Sequence, residues 1–301
     1  MAISSVANGL ADLLAPYAES VNSAMASALT DEAAPATLGE SMRYACLNGG
    51  KRLRPALVFL SAETVAEPKR WPADPTPAAV AVEMVHCYSL VHDDLPAMDD
   101  DTLRRGRPTC HVKFGEAMAI LTGDALLTRA FEVIASGYTE SARLTELIGT
   151  LASAAGAGGM IAGQVADMGL CEVPEGDAGR RYIHLRKTAA LLTAAVRMGG
   201  ICAGADEDQL YALEAFGENV GLAFQVADDL LDAVGSAGEI GKTPGKDARA
   251  GKRTYAGELG IEHARRLVAD LTGRAGEALE PFGNRAKKLR KLAELLARRD
   301  R

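Results

Sequence analysis

Apolar residues recur with the roughly 3.6-residue period of an α-helix through nearly the whole chain, and no stretch alternates as a half-buried strand does. Alanine and leucine, both strong helix formers, dominate many of these stretches. Breaker segments rich in Pro, Gly or charge interrupt the pattern at 67–77, 171–179 and 235–251, and we interpret them as loops or lids. The pattern predicts an all-α fold, a single large helix bundle.

Composition limits the functions that this bundle can have. The 301 residues, 48% of them hydrophobic, can bury one large core. A net charge of −7 disfavours nucleic acid as a partner, so any phosphate site has to be local. Five cysteines without a CxxC pair fit a reducing cytoplasm, and the first residues lack a secretory signal. We therefore expect a cytoplasmic protein.

One uncharged segment, 147–166, is long enough to cross a bilayer. It consists mostly of Gly, Ala and Ser, so its hydrophobicity is weak for membrane insertion. Small residues at helical spacing instead let two helix backbones approach closely. We interpret the segment as a buried helix and expect no membrane insertion.

Two acidic clusters lie far apart in the chain, DDLPAMDD at 93–100 and DDLLD at 228–232, and each follows a strongly apolar helix. In the second cluster Asp228 and Asp232 are four residues apart, so their carboxylates share one helix face. A single acidic run is usually a solvated helix end. Two such runs at the ends of buried helices favour a cation site.

The first cluster does not fit a regular helix. Pro96 removes a helical hydrogen bond, and Asp93 and Asp99 would lie on different faces of an ideal helix. A distortion or a helix end therefore has to bring them together. Carboxylate ligands without His or Cys select Mg²⁺, which binds through a few carboxylates together with substrate phosphates. The clusters predict a phosphate ester as the ligand.

Basic motifs supply the matching charge. GGKRLRP at 49–55 carries three cations behind a glycine pair, and LRRGRPT at 103–109 carries three more directly after the first aspartates. Alone, either motif is more often surface charge. The chain has no catalytic triad, zinc spacing, GxSxG or Walker signature, so nucleophilic catalysis is unsupported. His86, seven residues before Asp93, lies on the same helix face, although a lone helix histidine is more often structural.

Taken together, GGKRLRP, VHDDLPAMDDDTLRRGRPTCHVKFG, RKT at 186–188, FQVADDLLD and GKDARAGKRTY resemble the isoprenyl diphosphate synthase family. They follow the family's order, span 49–255, and are most similar to bacterial farnesyl diphosphate synthases. The resemblance implies the isoprenoid synthase fold, one domain over 1–301 around a deep central cavity, and a homodimer. It also implies Mg²⁺-dependent head-to-tail condensation of isopentenyl diphosphate with dimethylallyl or geranyl diphosphate, giving (2E,6E)-farnesyl diphosphate.

The same resemblance assigns roles to individual residues. Three Mg²⁺, or Mn²⁺ as an alternative, would be held on the allylic diphosphate by Asp93, Asp99, Asp228 and Asp232, with Asp94 in support. That diphosphate would also contact Arg104, Lys187, Lys242 and Lys252. Isopentenyl diphosphate would contact Lys51, Arg54, His86 and Arg105. Thr188 and Gln225 would face the developing cation.

Product length would depend on the residues beneath the first aspartates. Tyr88, five residues before Asp93, would lie on the tunnel wall with Ser89 and stop growth at fifteen carbons. Helical spacing alone would pair Asp93 with Asp100, whereas the family pattern chooses Asp99.

Three alternatives stay open. A geranylgeranyl diphosphate synthase would differ only in tunnel depth. A class I terpene cyclase would also ionise a prenyl diphosphate, but it needs no isopentenyl site and usually carries a different second metal motif. A non-catalytic subunit would keep the bundle, although such subunits can lose the aspartates that are intact here.

Overall fold

The computed structural model of the protein describes residues 2–234, 255, 257 and 260–298. These residues are mostly helical, and the strands among them form a single two-residue antiparallel pair. The all-α prediction is confirmed. The α-helices are α1 Ala2–Ala28, α2 Ala36–Cys46, α3 Leu53–Val65, α4 Thr76–Asp93, α5 Cys110–Phe114, α6 Glu116–Gly137, α7 Ser141–Ala155, α8 Met160–Asp167, α9 Gly176–His184, α10 Ala190–Ala203, α11 Glu207–Val234, α12 Ile261–Ala278 and α13 Lys287–Ala297. The strands are β1 Leu103–Arg104 and β2 Arg107–Pro108, and the shorter turns are the 3₁₀-helices Pro68–Arg70 and Glu280–Ala286 and the π-helix Leu185–Ala189.

Helix α4 lies in the centre of the bundle, packed against α3, α6 and α10. It is buried over most of its length between Ala78 and Val91, as its nearly continuous apolar run indicates. Helix α3 in turn packs on α10, where a Cβ at Gly199 would lie 2.1 Å from the carbonyl oxygen of Val58. This close approach needs a glycine, and it holds α3, whose first turn carries Arg54, against α10.

The segment 147–166 is not the single buried helix that we expected. Helix α7 ends at Ala155, and α8 begins at Met160 after a turn through Gly156 and Gly159. By length and composition alone the stretch Ser141–Asp167 could cross a membrane, and 33% of its most apolar window is buried. A Cβ at Gly159 would lie 2.2 Å from the carbonyl oxygen of Ala154, so the glycine-rich sequence makes a tight turn.

Candidate active site

The first aspartate cluster is built by the end of α4. The helix stops at Asp93, and the backbone N–H of Asp99 donates to the carbonyl oxygen of Asp93 at 2.8 Å. Asp100 then takes a left-handed conformation with φ 51°. A turn around Pro96 therefore brings Asp99 next to Asp93, which is the kind of distortion that the sequence requires.

The Asp93 carboxylate lies in an unfavourable place for negative charge. Burial raises the pKa of Asp93 to about 6; the Lys187 ammonium opposes this shift, while the Asp99 carboxylate adds to it. Among the described residues no three His, Cys, Asp or Glu side chains converge on a ready-made metal site. The donor set still fits Mg²⁺, because this ion binds through one or two carboxylates and takes its other ligands from phosphate and water.

Arg104 contacts Asp94 in this structure. Its Nε lies 2.9 Å from both carboxylate oxygens of the buried Asp94, and its Nη2 lies 2.5 Å from Oδ1. The Arg104 charge also lowers the pKa of Asp93, so the guanidinium lies near the first cluster. The contact of Arg104 with an allylic diphosphate and the supporting role of Asp94 both stay predictions.

The second cluster lies on α11, which runs through DDLLD without a break. Asp228 and Asp232 therefore share one face of a regular helix. Asp229 between them is 3% exposed and accepts hydrogen bonds from the Gln225 amide at 3.1 Å and the backbone N–H of Tyr255 at 3.0 Å. Asp228 and Asp232 thus have half-buried side chains, whereas Asp229 is buried and accepts hydrogen bonds inside the protein.

The π-helix Leu185–Ala189 links the two clusters. Thr188 donates its hydroxyl hydrogen to Gln225 Oε1 at 2.8 Å, and Gln225 lies three residues before Asp228 on α11. The preceding residue, Lys187, is close enough to Asp93 to lower its pKa. The π-helix therefore contacts α11 through Thr188 and lies near the end of α4 through Lys187.

Asp167 contacts Lys187, a predicted site residue, and our sequence analysis did not identify it. It lies at the end of α8 and receives the Lys187 ammonium at 2.6 Å. Gly163, one turn earlier, lets α8 lie directly against the backbone of Lys187, since a Cβ there would be 2.1 Å from its nitrogen. The sequence signal that could have identified Asp167 is Gly163, four residues earlier on the same helix face.

The four residues predicted to bind isopentenyl diphosphate line one cavity of about 660 Å³, together with Asn48 and Phe224. The four are Lys51, Arg54, His86 and Arg105. Burial lowers the pKa of His86 well below its usual value, and the charges of Arg54 and Arg105 lower it further, so the imidazole is neutral. Burial also lowers the pKa of Arg54, while nearby acidic groups that include Asp228 oppose this.

The glycine pair shapes the wall of this cavity. Arg105 donates to the carbonyl oxygen of Gly49, and a Cβ at Gly50 would lie 2.7 Å from its guanidinium. Arg52, from the same motif, instead points into the protein and is 2% exposed. It pairs with Glu83 at 2.8 Å, so its role is structural.

Tyr88 lies inside the bundle, on the helix that leads to Asp93. Its side chain is buried, its ring packs edge-on against His92, and its hydroxyl has no hydrogen-bond partner among the described residues. Burial raises the pKa of Tyr88 to about 12, and Asp93 adds to this shift. Ser89 donates to the carbonyl oxygen of His86 at 2.9 Å.

Two further predicted contacts to the allylic diphosphate, Lys242 and Lys252, lie outside the described residues.

A family model for the polyprenyl synthetases matches residues 35–282. The chain belongs to this family. It is 47% identical over 255 residues to the farnesyl diphosphate synthase of Escherichia coli, covering 82% of this chain and 83% of that one. It is 45% identical over 271 residues to the putative geranylgeranyl pyrophosphate synthase 8, chloroplastic, of Arabidopsis thaliana, covering 88% and 74%.

Among solved structures, an FPP/GFPP synthase from Zymomonas mobilis in its apo form superposes with a TM-score of 0.81 at 34% identity, covering 98% of this chain and 99% of that one. The chain therefore has the isoprenoid synthase fold, and it is a prenyltransferase that acts on isoprenoid diphosphates. The names of these relatives include both farnesyl and geranylgeranyl products, so membership alone does not fix product length.

Proposed function

We propose that this prenyltransferase condenses isopentenyl diphosphate with dimethylallyl or geranyl diphosphate and releases farnesyl diphosphate. The proposal rests on the charged side chains at the ends of α4 and α11, which would border one cleft. At the end of α4, the Lys187 charge lowers the pKa of Asp93. On α11, the Asp228 charge raises the pKa of Arg54, which lines the isopentenyl cavity. A diphosphate at the aspartates and a second one at the cavity would lie side by side.

In this reaction the aspartates would hold Mg²⁺, which would supply the positive charge that the departing pyrophosphate needs. Lys187 and Arg104 bind the same phosphate oxygens while the allylic C–O bond breaks, and the oxygen dipoles of Thr188 and Gln225 stabilise the cation. Lys51, Arg54 and Arg105 hold the isopentenyl diphosphate so that its double bond attacks the cation, and the neutral His86 donates its N–H to a phosphate oxygen. The adduct then loses a proton to the released pyrophosphate. We also propose contacts from Lys242 and Lys252 to the allylic diphosphate.

The buried ring of Tyr88 supports the farnesyl product. It occupies the core beneath Asp93, where a growing hydrocarbon tail would have to pass. Extension with labelled isopentenyl diphosphate, followed by chromatography of the products, tests this. We expect C15 from the wild type and longer products from Tyr88→Ala, because a smaller side chain opens the tunnel. Tyr211→Ala is the control, since that ring is 75% exposed on α11.

The opposite result is informative as well. If the wild type already releases C20, the protein is a geranylgeranyl diphosphate synthase and Tyr88 does not end growth. If it consumes farnesyl diphosphate without isopentenyl diphosphate, the terpene cyclase alternative holds. If it releases no pyrophosphate with both substrates and Mg²⁺, it is a non-catalytic subunit.

We propose a homodimer in the cytoplasm as the working form. Ile120 and Leu121 on α6 are exposed apolar side chains of the kind that a second copy would cover. All five cysteines are free thiols, which a reducing compartment maintains. Light scattering after gel filtration should give twice the mass of one chain, and a monomer mass would contradict the proposal.

A further inference from the structure

We infer that Asp229 is a positioning residue that sets the direction of the hydrogen bonds at Gln225 and Thr188, so that oxygen lone pairs face the developing cation. The inference rests on the proposed function, because it concerns the ionisation step of that reaction. Asp229 itself would touch neither substrate, since its side chain is 3% exposed and both of its oxygens accept hydrogen bonds within the protein.

The chemistry of the carboxylate decides the direction. Carboxylate oxygens accept hydrogen bonds, and Oδ2 of Asp229 accepts one from the backbone N–H of Tyr255 at 3.0 Å. Its Oδ1 faces the Gln225 amide at 3.1 Å, so the side of that amide turned to Asp229 has to be the NH₂ group. The Gln225 oxygen is then directed away from Asp229.

The orientation of the Gln225 amide also fixes the direction of the Thr188 hydroxyl. A hydroxyl has one hydrogen, and Thr188 gives that hydrogen to Gln225 Oε1 at 2.8 Å. The lone pairs of the hydroxyl oxygen are left for the cleft, where Lys187 and Asp93 interact. Oxygen dipoles fixed in advance stabilise a positive charge without reorganising during the reaction. A reversed network would instead present hydrogens to the cation.

Close helix packing keeps the network short. Gly221 and Gly217 lie one and two turns before Gln225, on the face of α11 that meets the π-helix and α10. A Cβ at Gly221 would lie 2.5 Å from the Cβ of Ala189, the residue after Thr188. Gln225 therefore reaches Thr188 directly.

Asp229→Asn tests the inference with almost no change in shape. The oxygen of the new side chain can accept the hydrogen bond from the Tyr255 N–H, but the side chain then presents its NH₂ group to Gln225. The Gln225 amide has to turn over, and Thr188 loses its acceptor. Adding Gln225→Glu to this variant restores an acceptor that takes hydrogens from both neighbours, so the double variant is the matched rescue.

Two readouts separate positioning from general damage. Steady-state kinetics should show kcat reduced about 10²-fold in Asp229→Asn, the usual effect of losing one fixed dipole at a reacting centre. The KM for both diphosphates should stay within about twofold, because neither substrate loses a contact.

The second readout is calorimetry. It should compare the binding of an ammonium analogue of the geranyl cation with that of its neutral isostere, each with Mg²⁺ and inorganic pyrophosphate.

The preference for the ammonium ligand should fall about tenfold in Asp229→Asn and recover in the double variant. An unchanged preference in a folded Asp229→Asn protein overturns the inference. Should that variant fail to fold, Thr188→Val decides, since a wild-type preference there also overturns it. A wild type that makes no product refutes the proposed function instead, so the two failures are distinguishable.

Discussion

At the scale of single residues, Arg52 carries a positive charge that is closed off from water. Glu83 pairs with it at 2.8 Å, Asn22 accepts from its Nε, and the carbonyl oxygen of Cys46 accepts from its Nη2. Arg52 also has a left-handed backbone with φ 52°. Its buried bonds hold the turn that leads into α3, with Lys51 just before it and Arg54 in the first turn of the helix.

Glu83→Ala should lower the free energy of unfolding by about 3–5 kcal/mol, because it leaves a buried charge without its partner. Urea denaturation measures this. Asp270→Ala is the control: Asp270 pairs with Arg274 at 2.8 Å and both side chains are more than half exposed, so the loss should be at most about 1 kcal/mol. Equal losses in the two variants would mean that the buried pair contributes no more than an exposed one.

The choice between Asp99 and Asp100 is also made at this scale. The backbone of Asp99 folds back onto Asp93, whereas the backbone N–H of Asp100 bonds Leu95 and its side chain is exposed. Asp99→Ala should lower kcat by about 10²-fold or more, and Asp100→Ala should change it little. Steady-state assays at saturating Mg²⁺ compare them, and a harmless Asp99→Ala would refute our assignment.

The sequence predicted a cationic motif at 49–55, but it did not separate Arg52 from Arg54. That difference depends on which residues from α1 and α4 surround each guanidinium, and the motif does not contain this information. The choice of Asp99 over Asp100 came from the family pattern, since Pro96 predicts only that the helix is distorted or ends there.

At the scale of elements, the contact between α11 and the π-helix depends on Gly221. Gly221→Ala would overpack this contact, and we expect it to lower the free energy of unfolding by about 1–3 kcal/mol and to reduce kcat. Gly273→Ala on the exposed face of α12 meets no atom within 4 Å and should stabilise the helix by about 0.5–1 kcal/mol. Thermal unfolding and kinetics on both variants check this.

Helical periodicity predicted the bundle correctly, and it predicted α4 and α11 together with the motifs at their ends. It missed the break between α7 and α8, since Gly and Ala continue the small-residue pattern through the turn at 156–159. It also missed the π-helix, because Leu185–Ala189 has the composition of an ordinary helix. Both features depend on packing against neighbouring helices.

At the scale of the whole molecule, buried residues from α1 to α13 belong to one main hydrophobic cluster. We propose on this basis that residues 1–301 form a single domain. Stability should then depend on groups far apart in sequence, among them His184 and Tyr255, whose rings lie 5.4 Å apart.

His184 gives this stability a pH dependence. Burial lowers the pKa of His184 from 6.5 to about 4, so between these values the unfolded chain binds the proton and the folded protein does not. Stability is therefore lost as the pH falls, by about 2 kcal/mol from His184 between pH 7 and 5. Urea denaturation of His184→Gln should show a correspondingly smaller loss. His263→Gln, at an exposed position of α12, should behave like the wild type.

The π-helix has a further consequence for how this protein can change over time. Its wider turn holds one more residue than an α-helix would use, so excising a single residue from 185–189 would rejoin α9 and α10 in ordinary register. The part of the helix before the deletion would rotate by about 100° about the helix axis relative to α10. This rotation would carry the Lys187 ammonium away from the first aspartates. Evolution can therefore change residues 185–189 by single substitutions, whereas the deletion of one codon there would abolish the site in one step.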